Sequence, residues 1–204
     1  MNAKIATCAA LTLLATACTN TEPSAPPPEL QPSLRAYVLD EVPSDVDNRT
    51  FVDFGGKVHL IGYKIEPSGI VRPGQSVKMT LYWRSVAPLT KGWRLFTHLT
   101  SPGGSRLENF DKFGPLREPN ALGDQSLPPD QWQLGKVYVD EQNLTLPGNI
   151  TDPVVTLTVG IWRGNARLDI LSGRSDGTRR AIIANIPTGV VPPKPVAKKE
   201  PSKP

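Results

Sequence analysis

From Ser76 to Arg84 the chain alternates without a break. Val77, Met79, Leu81 and Trp83 fall on one side, and Lys78, Thr80, Tyr82 and Arg84 on the other. A strict period of two places successive side chains on opposite faces of an extended strand and cannot draw an apolar stripe along a helix. The pattern returns at Val155, Leu157, Val159 and Ile161, with Thr156, Thr158 and Trp162 opposite. Lys57 to Glu66, Trp93 to Thr100, Lys136 to Gln142, Ala166 to Leu171 and Arg180 to Asn185 are further strand candidates. Turn formers separate them: Pro67-Ser68-Gly69, Pro73-Gly74, Pro102-Gly103-Gly104, Pro147-Gly148-Asn149, Gly164-Asn165 and Asp176-Gly177. No window sustains a helical period. Roughly eight or nine short strands with frequent turns predict an all-β chain, a single antiparallel β-sandwich of immunoglobulin-like or jelly-roll-like form. A closed barrel is the alternative.

The sandwich is expected to occupy residues 34–186, because both ends read differently. Lys4 precedes an apolar run from Ile5 to Ala15, and the small residues Ala15-Thr16-Ala17 lead directly to Cys18. The run is shorter than the ~20 residues that span a bilayer as a permanent helix. Its charged start and small-residue end fit a cleaved signal peptide over residues 1–17. The segment resembles a lipobox, with Ala15 where Leu is more usual, and predicts acylation of Cys18. Cys8 leaves with the signal, so the mature chain keeps one cysteine and cannot form an internal disulfide. Acylation accounts for that thiol and predicts a membrane partner through the lipid anchor. Thr19 follows the cysteine in place of the inner-membrane retention aspartate of many Gram-negative bacteria, which favours the outer membrane within a cell-envelope location facing the periplasm or the cell surface. Residues 18–33 are polar and Pro-rich and predict a disordered, semi-rigid linker.

Residues 187–204 contain six prolines, four lysines and one glutamate. They predict a disordered basic tail. The net charge of the chain is +4; the tail supplies +3 and Lys4 supplies +1, so residues 18–186 sum to zero. A neutral body on an exported chain argues against nucleic acid as a partner. The stretch from Phe110 to Trp132 has few strand signals and runs for about twenty residues, a length that in compact domains tends to carry function or motion.

Several segments are similar, as an ordered set, to one known kind of domain: Leu60-Ile61-Gly62-Tyr63, Thr80-Leu81-Tyr82-Trp83, Leu95-Phe96-Thr97-His98-Leu99, Phe110-Asp111, Trp132-Gln133-Leu134-Gly135, Val139-Asp140-Glu141 and Val159-Gly160-Ile161-Trp162. The succession resembles the β-sandwich accessory domain at the C-terminus of bacterial membrane glycosyltransferases of the dolichyl-phosphate-mannose protein mannosyltransferase type, and stand-alone lipoproteins related to it. The resemblance spans about residues 51–172 and implies a non-catalytic envelope module that engages glycans or glycosylation machinery. It does not carry over transferase chemistry, since no multi-span membrane segment is visible.

Among individual residues, His98 and Asp111 are the most enzyme-like pair. A hairpin through Pro102-Gly103-Gly104 would bring them together, and a carboxylate beside an imidazole orients it for acid–base work. No nucleophile motif accompanies them, and a structural hydrogen-bonded pair is the competing reading. Tyr82 and Trp162 fall on the polar sides of their strands, and Trp132 lies in or beside the long loop. Exposed flat rings stack on sugars, but tryptophan is a highly buried residue on average. Trp132, Tyr82, Trp162, His98 and Asp111 are therefore the candidate ligand-binding residues. His59 and His98 have no zinc-like spacing, Asp45-Val46-Asp47-Asn48 lacks the calcium-loop pattern, and no metal or cofactor is expected. Asp140 and Glu141 are adjacent on a strand and must face opposite ways. The expected function is a lipid-anchored, non-catalytic envelope module that binds a glycan or a partner protein of the envelope or glycosylation machinery. A scaffold lipoprotein without a small ligand is the alternative, and a hydrolase the third reading.

Overall fold

A computed structural model of the chain describes residues 30–117 and 126–191. The signal segment, Cys18, the linker up to residue 29, residues 118–125 and the tail from residue 192 lie outside the described residues. In chain order the elements are α1 (Pro32–Arg35), β1 (Val38–Leu39), β2 (Asn48–Phe54), β3 (Val58–Glu66), β4 (Ser76–Ser85), β5 (Arg94–Thr100), β6 (Arg106–Asn109), a 3-10 turn (Pro129–Gln131), β7 (Val137–Thr145), β8 (Val154–Arg163), β9 (Ala166–Arg167), β10 (Ile170–Ser172) and β11 (Ala181–Pro187).

The strands form two antiparallel sheets. One has the order β1-β7-β4-β3-β2-β10; the other has β11-β8-β5-β6, with β9 pairing onto the end of β8. Neither sheet closes on itself, so the architecture is a β-sandwich and the barrel alternative falls. The alternating rows found in the sequence are its inner faces. Val77, Met79, Leu81 and Trp83 of β4 meet Val155, Leu157, Val159 and Ile161 of β8 and Leu95 and Leu99 of β5 in one buried cluster. Each such side chain contributes roughly 1.5–3 kcal/mol when it leaves water, which makes this interface the main source of stability.

Two features of strand layout depart from the sequence reading. The single strand expected over Ala166 to Leu171 is two. Leu168 N donates to Ile161 O at 2.9 Å in one sheet, and Gly55 N donates to Asp169 O at 2.8 Å in the other, so the chain changes sheets between them. β2 has no alternating signature. Its first half, Asn48-Arg49-Thr50-Phe51, is largely exposed, and only Val52 and Phe54 turn inward.

The folded body also begins earlier than residue 34. Leu30 packs against the core, Pro32 occupies the first turn of α1, and Leu34 is 5% exposed. At the other end Thr188 is buried and its hydroxyl donates to Asp152 O at 2.6 Å.

The segment between β1 and β2 crosses the outer face of the larger sheet. Val46 sits on Gly62 of β3, where a Cβ would fall 2.7 Å from Val46 Cγ1, and packs with Tyr82, Val137 and Val139 in a second buried cluster. The missing side chain at Gly62 is what lets this strap lie flat. The strap therefore covers the outer face of the larger sheet around Tyr82, Val137 and Val139, while Lys78 stays exposed.

The Phe110–Trp132 stretch, singled out for its length, anchors several side chains in the core, although Lys112 and Phe113 stay exposed. Phe110, Leu116, Leu127 and Trp132 are all buried. The stretch also delivers Arg117 between the sheets. Its Nε and Nη2 grip Asp140 of β7, with the Nη2 contact at 2.8 Å, and Nη2 also donates to Thr97 Oγ1 at 2.8 Å. Gln142 Nε2 donates to the same carboxylate at 2.9 Å. Both charged side chains are essentially out of solvent. On β7 the inward row thus reads Tyr138, Asp140, Gln142, Leu144, and Glu141 faces out to Lys78 at 3.0 Å.

Candidate functional site

The outer face of the smaller sheet carries a cavity, although Phe96, His98 and Thr158 on that face are themselves buried. On β5, Leu95 and Leu99 point inward, so Phe96 and His98 point outward. Strand register pairs Phe96 with Gly160 and His98 with Thr158 on one side, and His98 with Asn109 on the other. A bulge in β6 then pairs Arg106 with Thr100, two residues further along the same outer row. A bulge re-aims the side chains that flank it. Here it brings Arg106 and Asn109, three residues apart, onto one face.

Gly160 makes the floor of this face possible. A Cβ there would fall 2.3 Å from Cζ of Phe96 and 3.2 Å from the Arg179 carbonyl oxygen. The Phe96 ring lies in that gap. The His98 ring lies tilted beside it with ring centroids 4.7 Å apart, and the Arg167 guanidinium covers it at 5.0 Å from the ring centroid.

The walls come from the chain between β8 and β11. β8 ends in Trp162-Arg163, and Gly164-Asn165 turns the chain into β9, which carries Arg167. A second turn presents Thr178 and Arg179. Asp176 holds that turn, accepting from Thr178 N and Thr178 Oγ1, each at 2.8 Å. Burial alone would raise the Asp176 carboxyl. The Thr178 donors and the Arg180 guanidinium outweigh it and hold the carboxyl below its usual value. Arg180 Nη2 donates to Gly104 O at 3.0 Å and ties the turn to the β5–β6 hairpin. Arg167 Nη1 donates to Thr178 O at 3.1 Å, and Arg179 pairs with Asp169.

Floor and walls enclose a cavity of about 550 Å³ lined by Phe96, His98, Asn109, Asp111, Trp162 and the arginines 106, 167 and 179, among others. That volume lies within the ~300–1,000 Å³ range of small-ligand sites. Two lining residues carry buried nitrogens without a hydrogen-bond partner among the described residues, His98 Nδ1 and Trp162 Nε1. Buried polar groups are nearly always satisfied, and each unsatisfied one costs about 1–3 kcal/mol.

His98 and Asp111 do meet, as the hairpin predicted. His98 Nε2 lies 3.4 Å from Asp111 Oδ1, with His98 buried and Asp111 partly open. The same oxygen accepts from Thr97 N at 3.1 Å, and Asp111 N donates to Asn109 Oδ1 at 2.8 Å. Burial would raise the Asp111 carboxyl. The His98 hydrogen bond and charge, together with the Thr97 N–H, outweigh it and hold the carboxyl below the ordinary carboxylate range.

Trp162, His98 and Asp111 thus converge on one cavity, and two other sequence candidates do not. Tyr82 lies on the outer face of the other sheet at 6% exposure, beneath Val46. Trp132 is also 6% exposed, stacks on Tyr138 with centroids 4.4 Å apart, and donates Nε1 to Leu127 O at 2.9 Å. Both are packing residues, and neither offers a ring face to a ligand. His59 sits on β3 beside Asp53, and Asp45 is engaged by Lys64 at 3.0 Å. No group of three or more His, Cys, Asp or Glu with metal-site geometry exists among the described residues.

Asn109 and the arginines 106, 167 and 179 had no counterpart in the sequence reading. One signal was available: residues 163–180 hold five arginines and two aspartates, a local +3 inside a body that sums to zero. Chemically the cavity can stack a flat ring, exchange hydrogen bonds through Asn109, Thr178 and Trp162, and neutralise negative charge. Comparison with known proteins found no matching family model and no matching curated sequence.

Proposed function

We propose that this chain is a lipid-anchored, non-catalytic module of the cell envelope that binds a glycan in the outer-face cavity. One observation carries the reading. A half-buried tryptophan, an amide and several guanidiniums line one concave surface, alongside buried nitrogens that lack partners. Carbohydrate recognition needs that combination: an aromatic face for the apolar side of a sugar ring, and planar donors for its hydroxyls. Acylation at Cys18, the Pro-rich linker and the likeness to accessory domains of membrane glycosyltransferases support an envelope setting, with the outer membrane favoured.

The test uses the full chain extracted in detergent and a panel of envelope polysaccharides. Retention of at least one glycan, weakened ten-fold or more by Trp162→Ala, is the expected result. Cys18→Ser should move the protein from the membrane to the soluble fraction. Retention of no glycan, or binding indifferent to Trp162, overturns the assignment of this cavity.

A further inference from the structure

We infer that the glycan bound here is anionic, a saccharide bearing carboxylate or phosphate groups that extends over two adjoining cavities with Arg179 between them; this rests on the glycan-binding reading above. Three observations lead to it.

The first is charge. Arg106 comes from β6, Arg167 from β9 and Arg179 from the turn before β11, and all three line the same cavity. The only carboxylate in that lining is Asp111, already engaged by His98 and the Thr97 N–H. The Arg106 side chain makes no hydrogen bond or ion pair among the described residues. Guanidiniums gathered from three separate elements repel one another unless an anion sits among them. Their planar forks match the oxygens of carboxylates and phosphates.

The second is shape. A second cavity of about 640 Å³ involves the same turn and is lined by Asp169, Ile170, Ser175, Gly177, Thr178 and Arg179. Thr178 and Arg179 belong to both linings. Two cavities that share lining residues suit a chain of sugars better than a single ring.

The third is backbone. Arg179 has φ of 60°, and it is the only non-glycine residue with positive φ among the described residues. Glycine would adopt that conformation without penalty, and conformations of this kind cluster at ligand-binding sites. Its present partner, Asp169, is an exposed carboxylate that lines the second cavity, and a bound anion can take its place.

The experiment pairs each acidic polymer with a neutral polymer of the same backbone: polygalacturonate with its methyl ester, and phosphomannan with mannan. Binding to the full chain in detergent is measured at low and high salt. The acidic member of at least one pair should bind ten-fold or more tighter, and the advantage should shrink as salt rises. Which pair responds separates carboxylate from phosphate recognition. Arg106→Gln with Arg167→Gln should abolish the advantage. Arg179→Gly should reduce it several-fold while leaving the melting temperature unchanged or raised, because glycine is at home at that φ and an exposed ion pair adds little stability. Equal binding of acidic and neutral members, still sensitive to Trp162→Ala, would overturn the anionic inference and leave the glycan reading intact. Binding of none of the four polymers would overturn the anionic inference, and the envelope panel then decides the glycan reading separately. An unchanged acidic preference in Arg179→Gly would remove Arg179 from the proposal.

Discussion

Replacing Arg117 by Met should be among the most damaging single changes in the domain. The guanidinium is the main partner of Asp140, whose side chain has no solvent exposure. Without it the carboxylate keeps, among the described residues, only Gln142 Nε2 as a side-chain donor. Breaking a buried ion pair by removing one member costs about 3–5 kcal/mol, since the remaining charge is stranded. Against a total stability of about 5–15 kcal/mol that is a large fraction. For a domain of this size it corresponds to roughly 2–4 °C in melting temperature per kcal/mol. The pair is not an efficient source of stability, however. Arg117 Nη1 and Gln142 Oε1 already lack partners among the described residues, and taking two charges out of water offsets much of their attraction. A triple variant with Arg117→Met, Asp140→Leu and Gln142→Leu should therefore regain most of the loss. Urea denaturation of the wild type, the single variant and the triple variant measures both steps. A single variant within about 1 kcal/mol of wild type would refute the stranded-charge reasoning. So would a triple variant no more stable than the single.

Two further outcomes follow from the candidate site. Asp111 titrates below its ordinary value in the folded chain, so the stability it contributes is complete above the unfolded-state value and is lost as pH falls through the lower folded value. Asp111→Asn should thus be less stable than wild type at neutral pH, with the gap closing across that acidic window; denaturation curves at a series of pH values check this, and a pH-independent gap would contradict it. Gly160→Ala forces a Cβ to 2.3 Å from the Phe96 ring and should cost about 1–3 kcal/mol by overpacking. Phe96→Leu in the same chain should recover part of that loss, as thermal melts would show, whereas simple additivity would mean that the two residues do not share the space.

How far the sequence could be read depended on whether the deciding interaction was local. The inner rows of β4 and β8 were legible because alternation is a property of neighbouring residues, and one apolar row must leave water. The meeting of His98 with Asp111 was legible for a similar reason, since a short hairpin with a Gly-rich turn fixes which residues come together. β2 was not, because its exposed first half has no second face to hide. Nor was the inward aim of Asp140, because the arginine that makes it tolerable arrives from a different part of the chain.

Tyr82 and Trp162 mark the boundary most clearly. Each sits at the same phase of a strand, opposite an apolar row, and the sequence by itself determined that both face outward from the core. Whether an outward face meets water is set by segments distant in the chain. The stretch between β1 and β2 folds down over Gly62 and buries Tyr82. The stretch between β8 and β11 arches above Gly160 and leaves a cavity beside Trp162. Alternation is a one-dimensional signal carried by the strand itself. Coverage is a three-dimensional one, decided by where a segment with its own apolar residues finds surface to lie against, and only the tertiary structure could decide which tryptophan or tyrosine remained available to a ligand.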